Sequence, residues 1–533
     1  MARVGQPPPP SLVPMTEQTD PISAAVAPGY QFEGAALELG GLMLDAEHLS
    51  DVHIRIPLAM LNRHGLVAGA TGTGKTKTLQ LMAEQLSANG VPVFAADIKG
   101  DLSGISVAGE GGEKIVARAA SVGQTWTATA FPAEFYALGG QGTGIPLRVT
   151  MSAFGPTLLS KVLGLNDTQE SSLGLVFHFA DRNGMALLDL ADLRAVIQYL
   201  TSDEGKADLK DLGGLSSATA GVLLRELIAF SDQGADAFFG EPEFETADFL
   251  RTAADGRGIV SLVELPNLQD RPAVFSTFLM WLLADLFHDL PEVGDVDKPK
   301  LVFFFDEAHL LFRDASKAFL ESIAQTVRLI RSKGVGVVFV TQSPTDVPDE
   351  VLAQLGSRIQ HQLRAHTPND AKALKQTVNT YPTSAYDDLG AVITSLGIGE
   401  AIVTVMNERG APTPVAWTRL RAPESLMDPA PAAGMEATVA ASPLHAKYAT
   451  AVDRDSAREV LARKLEEGAA KKQAEAEAKA PSGSRTQPRP PSRSRARQDK
   501  SVVEEVVGST AFRQVMRTAA REIVRGMFKT GRR

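Results

Sequence analysis

Residues 69–76 read Gly-Ala-Thr-Gly-Thr-Gly-Lys-Thr, which meets G-x-x-x-x-G-K-[ST] at every fixed position. A short apolar run, Leu66 to Ala68, leads in, and Leu79, Leu81, Met82 and Leu86 follow at helical spacing. Strand, glycine loop and helix form the context this motif requires. Its chemistry is the cradling of phosphate. Gly69, Ala70, Thr71, Gly72, Thr73 and Gly74 can curl so that backbone N–H groups converge on phosphate oxygens, and the helix N-terminus adds partial positive charge. Lys75 is placed to reach the terminal phosphates, Thr76 to ligate Mg²⁺ through its hydroxyl, and Lys77 to complete the contact set. A turn that holds nothing has no use for the lysine, the hydroxyl and both flanks together.

A second constellation lies at Leu301–Glu307. Five apolar residues, Leu-Val-Phe-Phe-Phe, precede Asp306-Glu307. Such a run suits a strand buried on both faces, with two carboxylates emerging at its end. Asp306 is the expected metal partner of Thr76. Glu307, one residue on, is expected to point the other way from the strand and to take a proton from an attacking water. A run of this kind can also end in ordinary surface acids. Coupling to the phosphate loop favours chemistry, and a water-activating glutamate favours hydrolysis over phosphate transfer to a small molecule. Val335 to Val340 is another apolar strand, ending at Gln342, which could sense the terminal phosphate or orient water. Arg328 and Arg331 share a helical face and follow the acid pair by about two dozen residues. Either could be an arginine supplied in trans to phosphate, or simply part of a basic surface. Asp97 and Lys99, after the apolar run Val93–Ala96, could line the nucleotide or cap a strand. His309, His361 and His366 lack metal-ligand spacing, and His309 reads as a packed residue.

Positioning these groups needs a sizeable core. The chain has 533 residues, 44% hydrophobic and 22% charged, an ordinary globular balance. It has no cysteine, which excludes disulfides, zinc-thiolate centres and cysteine nucleophiles and points to a cytoplasmic location. The start, MARVGQPPPPSLVP, has no signal-peptide core, and the longest apolar stretch, Pro272–Ala284, is short of the roughly 20 residues that span a bilayer. No membrane association is expected. Net charge is −10; residues 481–533 carry +9, leaving −19 on the body. So acidic a body excludes a general nucleic-acid sponge and confines any such contact to a pore or the tail.

The expected organisation is a disordered N-terminus over 1–29, a short β segment over 30–60, and an ATPase core in two parts, 61–145 and 251–422. A helical insertion occupies 146–250, with helices near 158–163, 171–180, 187–200 and 218–230, in which Asp189, Asp192 and Glu226 read as solvated face charges. Strands are also expected at 258–263, 357–363 and 401–406. A linker and charged low-complexity segment takes 423–500, and an amphipathic basic helix takes 501–533. That last helix sets Phe512, Met516, Ala519, Ile523 and Met527 in one row and Arg513, Arg517, Arg521 and Arg525 in another.

GATGTGKT, DIKGD, FFFDEAH, RLIRSKG and the strand ending TQS together resemble the HerA–FtsK superfamily of hexameric DNA-pumping ATPases. SRIQHQLRAHTPNDAKAL, LGIGEAIV and REIVRGMF look more closely like its bacterial HerA-helicase-like family. The resemblance covers about residues 30 to 425 plus the final helix. It implies an α/β fold with a RecA-like P-loop core, a parallel sheet flanked by helices, and a disordered or helical tail. It also implies ATP and Mg²⁺ as cofactors, a homo-hexameric ring, and duplex DNA as the track. By motif, Lys75 and Thr76 bind phosphate and metal, Asp306 and Glu307 are the acid pair, Gln342 is the sensor, and Arg331 or Arg328 is the trans finger. An accessory nuclease is a candidate partner, although the roughly 30 residues before the phosphate-loop strand are few for the β-barrel domain of archaeal relatives. The leading expectation is a DNA translocase or helicase. The alternative is a nucleotide-switch or scaffold ATPase that assembles on protein partners without moving DNA.

Overall fold

Runs of consecutive apolar residues are satisfied only between two covering layers, and the centre of this molecule is built from them. The computed structural model describes residues 20–479 apart from 45–46, 139–141, 210–212, 265–271, 313–314, 316 and 383. Twelve strands form one sheet: β1 Ala36–Leu44, β2 Glu47–Pro57, β3 Gly65–Ala68, β4 Val93–Asp97, β5 Ala133–Leu138, β6 Ile145–Leu147, β7 Val260–Glu264, β8 Leu301–Phe305, β9 Val335–Thr341, β10 Ser357–Gln360, β11 Glu400–Thr404 and β12 Ala416–Leu420. Their order is β2-β1-β12-β11-β10-β3-β9-β8-β4-β7-β5-β6. From β10 to β6 every pairing is parallel. From β10 outward through β11, β12, β1 and β2 every pairing is antiparallel. All residues of β3, β4, β8 and β9 are buried. This is an α/β fold with a RecA-like core, its parallel sheet flanked by helices.

The segment before the phosphate loop does not form a small sheet of its own. β1 joins the main sheet through β12, with Gly40 opposite Leu420. The approach is close: a Cβ on Gly40 would lie 1.9 Å from the Arg419 carbonyl oxygen. Gly40→Ala must therefore push β1 off β12. It should cost about 3 kcal/mol of stability, read as a lower midpoint in urea unfolding; an unchanged midpoint would contradict the packing.

Two other expectations need correction. Residues 20–29, expected as disordered, form the helix Pro21–Val26, whose N-cap Asp20 accepts from Ile22 N at 2.8 Å. Tyr30, just beyond, is buried and donates its hydroxyl to Val403 O and Pro414 O. Residues 423–443, expected as linker, are packed. The helices Ala432–Ala441 and Pro443–Tyr448 bury Met435, Val439, Leu444 and Tyr448, and the Tyr448 ring lies 4.7 Å from that of Phe244. Alanine-rich composition looks like low complexity, but alanine is also the best helix former.

The middle segment holds the helices Pro156–Val162, Asp167–Arg182, Leu190–Thr201 and Ser217–Asp232. Asp192 is not a solvated charge there. It is buried and accepts from Leu188 N, Asp189 N, Ser456 Oγ and Arg458 N. The backbone divides into two units, 1–467 and 468–533. Of the second, only the end of the helix Ala457–Lys479 is described, so the basic helix expected over 501–533 lies outside the described residues. Among the described residues no helix is long and apolar enough to cross a membrane.

Candidate nucleotide site

The glycine loop leaves β3 at the strand-end edge of the parallel sheet and runs into the helix Lys75–Ala88. Gly72 and Gly74 have φ of 82° and 111°, a region that glycine enters without a Cβ penalty. The loop is held from outside. Gly69 N donates to Thr341 O of β9, Ala70 N to Gln362 O, and Gly399 N to Thr73 O. Thr73 Oγ1 returns to Ala70 O at 2.8 Å. The Lys75 ammonium donates to Gly69 O at 2.7 Å and Ala70 O at 3.2 Å. Burial pushes its pKa down, while the charges of Glu307 and Asp306 pull it back up. Thr76 stands half-buried in the first turn. Lys77 behaves differently: its ammonium turns away from the loop to Gln80 Oε1 and Met427 O.

The acid pair sits two strands along, because β9 lies between β3 and β8. Ala308 N donates to Val340 O, just as Gly69 N does to Thr341 O, so β9 aligns both tips. Asp306 is buried, and its carboxyl is pushed up to about 6, first by burial and then by the charge of Glu307. The alternation expected for Glu307 fails. β8 ends at Phe305, and Glu307 adopts a left-handed φ of 48°. Both carboxylates consequently act on Lys75. The Lys99 ammonium pairs with Glu307 Oε1, and His309 Nδ1 lies 3.3 Å from Oε2. His309 is therefore more than packing. Burial would raise the Glu307 carboxyl, but Lys99, with His309 and Lys75, holds the group below the usual range.

Gln342 is exposed one residue beyond β9. It lines a cavity of about 920 Å³ together with Ala70 and Thr71 of the loop and with His309 and Arg364. Arg328 and Arg331 are not in this group. Arg328 ends the helix Lys317–Ile330, and Arg331 begins the turn before β9, at the strand-start edge. They line another cavity, of about 570 Å³, with Arg63 and Arg358. The seven residues of β9 separate the two edges by roughly 20 Å. Neither arginine can reach the phosphate loop of its own chain.

Several supporting residues lie far away in sequence. His361, just past β10, is buried and bonds Thr78 Oγ1 at 2.9 Å. Burial, then the charge of Lys75, pushes it down to about 3, so it is neutral. A Cβ on Gly69 would lie 2.4 Å from His361 Cβ, so this side chain is a wall of the loop. Asp97 turns out to cap its own loop, accepting from Lys99, Gly100 and Leu102 N. Glu84, on the phosphate-loop helix, accepts from Glu424 N, Ser425 N and Ser425 Oγ. It is buried, and its carboxyl is pushed from 4.5 to about 7, chiefly by that burial. Folded Glu84 thus holds a proton that the unfolded chain releases. Its contribution is complete below pH 4.5 and is lost as pH rises through about 7. The melting temperature of wild type should fall relative to Glu84→Gln between about pH 5 and about pH 8; parallel curves would refute the burial effect.

A parallel sheet with a glycine loop, lysine and hydroxyl at one strand tip and a carboxylate pair two strands away is the core of a P-loop nucleotide-binding protein. The chain belongs to the family described as Helicase HerA-like C-terminal, whose model matches residues 43–533. It is 23% identical over 360 residues to the DNA double-strand break repair helicase HerA of Sulfurisphaera tokodaii, covering 66% of this chain and 64% of that protein. The match thus spans just under two thirds of that relative's length. Among solved structures it resembles the plasmid coupling protein TrwB in complex with ADP and Mg²⁺ (TM-score 0.49, 17% identity, 74% of this chain and 98% of that one). It also resembles VirB4 of Thermoanaerobacter pseudethanolicus (TM-score 0.45, 14% identity, 73% and 97%).

Proposed function

We propose that this protein is an ATP-hydrolysing ring motor of the HerA/FtsK type that moves along duplex DNA. One observation carries the reading. The phosphate loop and acid pair occupy one edge of the sheet, and the arginines occupy the opposite edge. A head-to-tail arrangement of copies brings each arginine edge onto a neighbour's phosphate loop, and such heterologous contacts form a ring when the rotation between copies closes.

In this reading the loop amides and Lys75 hold the ATP phosphates, and Gln342 orients the attacking water. Glu307 takes its proton. Arg331 or Arg328 of the next copy meets the charge that develops on the phosphate. The residues fit Mg²⁺. The Asp306 carboxyl is pushed up first by burial and then by the charge of Glu307, and a divalent cation offsets both. Thr76 and Asp306 would hold the ion beside substrate phosphates, the usual way this metal binds. Bound Mg²⁺ supplies charge neutralisation on the phosphate oxygens.

A second reading, a scaffold ATPase on protein partners, draws support from the −19 charge of the body. ATP hydrolysis with Mg²⁺, measured with and without duplex DNA at low salt, separates the two. The motor reading expects stimulation by duplex, and hydrolysis indifferent to DNA favours the scaffold. Size measurement with saturating Mg²⁺-ATP tests the ring. A persistent monomer would remove any role for Arg331 in trans.

A further inference from the structure

Lys99 stands at the tip of β4, beside β8, where Ala96 pairs with Phe305. Its loop is fixed by Asp97, which accepts three of its backbone N–H groups. From this anchor the side chain, 40% exposed, reaches Glu307, whose side chain is only 9% exposed. The ammonium takes Oε1. The other oxygen, Oε2, is buried and faces His309 Nδ1 at 3.3 Å, and among the described residues neither atom has a hydrogen-bond partner. Glu307 meanwhile keeps a left-handed backbone, which a residue with a Cβ adopts only when its surroundings hold it there. A general base must present a free lone pair to water. Here one oxygen is occupied and the other is walled in.

We infer that Lys99 is a positioning residue that withholds Glu307 from catalysis, an ion-pair restraint that rests on the ATP-hydrolysis reading above. The restraint is a reversible one. Lys99 is partly in solvent, and the charges of Asp306 and Asp101 also act on its ammonium. When the arm leaves Oε1, the left-handed conformation loses its tether, and that oxygen is freed to take a proton from water.

The test is steady-state hydrolysis by the full chain with Mg²⁺-ATP, comparing wild type, Lys99→Met and Lys99→Arg. Methionine keeps the stem and removes the charge. Lys99→Met should raise kcat about five-fold, with KM within about two-fold of wild type. Lys99→Arg should behave as wild type. A kcat for Lys99→Met equal to or below wild type overturns the inference while leaving the hydrolysis reading intact. No turnover by any of the three overturns both. Should Lys99→Met melt early, Lys99→Gln serves as the second neutral variant, with the same outcomes expected.

Discussion

Lys75→Ala will bind ATP on the order of a hundredfold more weakly than wild type, with its melting temperature little changed. The ammonium is half-buried and bonded, among the described residues, to the carbonyls of Gly69 and Ala70, acceptors that a phosphate oxygen would outcompete. It is also the cation on which both Asp306 and Glu307 act. Without it the three negative centres, two carboxylates and the incoming phosphate, lose a shared counter-charge. The fold should survive, because the loop is held by Thr341, Gln362 and Gly399 rather than by the lysine. A fluorescent-nucleotide titration alongside a thermal melt reads both quantities. Undiminished binding in Lys75→Ala would show that the loop is not where nucleotide sits.

Glu307→Gln should lower kcat on the order of a thousandfold while leaving nucleotide affinity nearly unchanged. The amide keeps the size but accepts no proton. It also frees Lys99 from its ion pair. Pre-steady-state hydrolysis at saturating Mg²⁺-ATP is the direct measurement. A kcat within about ten-fold of wild type would move the proton-accepting role elsewhere. Asp306, whose carboxyl is pushed up to about 6 by burial, would then be the first alternative.

The parts of this site that were legible are those written in consecutive residues. Glycines with left-handed φ at 72 and 74, a lysine and hydroxyl opening a helix, and all-apolar runs ending at Asp306 and Gln342 each encode a local conformation. Local conformation follows from backbone sterics and burial, so the phosphate loop, β3, β4, β8 and β9 could be read without a fold. Where the sequence misleads, it does so locally as well. Strand alternation was carried one residue too far, to Glu307, because nothing nearby marks where β8 stops. The apolar residues of 432–448 were hidden among alanines and prolines, so their packing was missed.

What could not be read is which strand tips become neighbours. Lys99 meets Glu307 across 208 residues, His361 meets Thr78 across 283, and Glu84 meets Ser425 across 341. β12 was invisible as a partner for β1 until the sheet order set them side by side. The amino-acid order therefore specifies a phosphate cradle and a pair of acids, because each arises from steric and hydrophobic rules acting along a few residues. Only the assembled sheet assigns their surroundings: Lys99 on Glu307, His361 behind the loop, and Arg328 and Arg331 at the far edge. Pairing order is settled by packing free energy summed over the whole core, which no short stretch of chain contains.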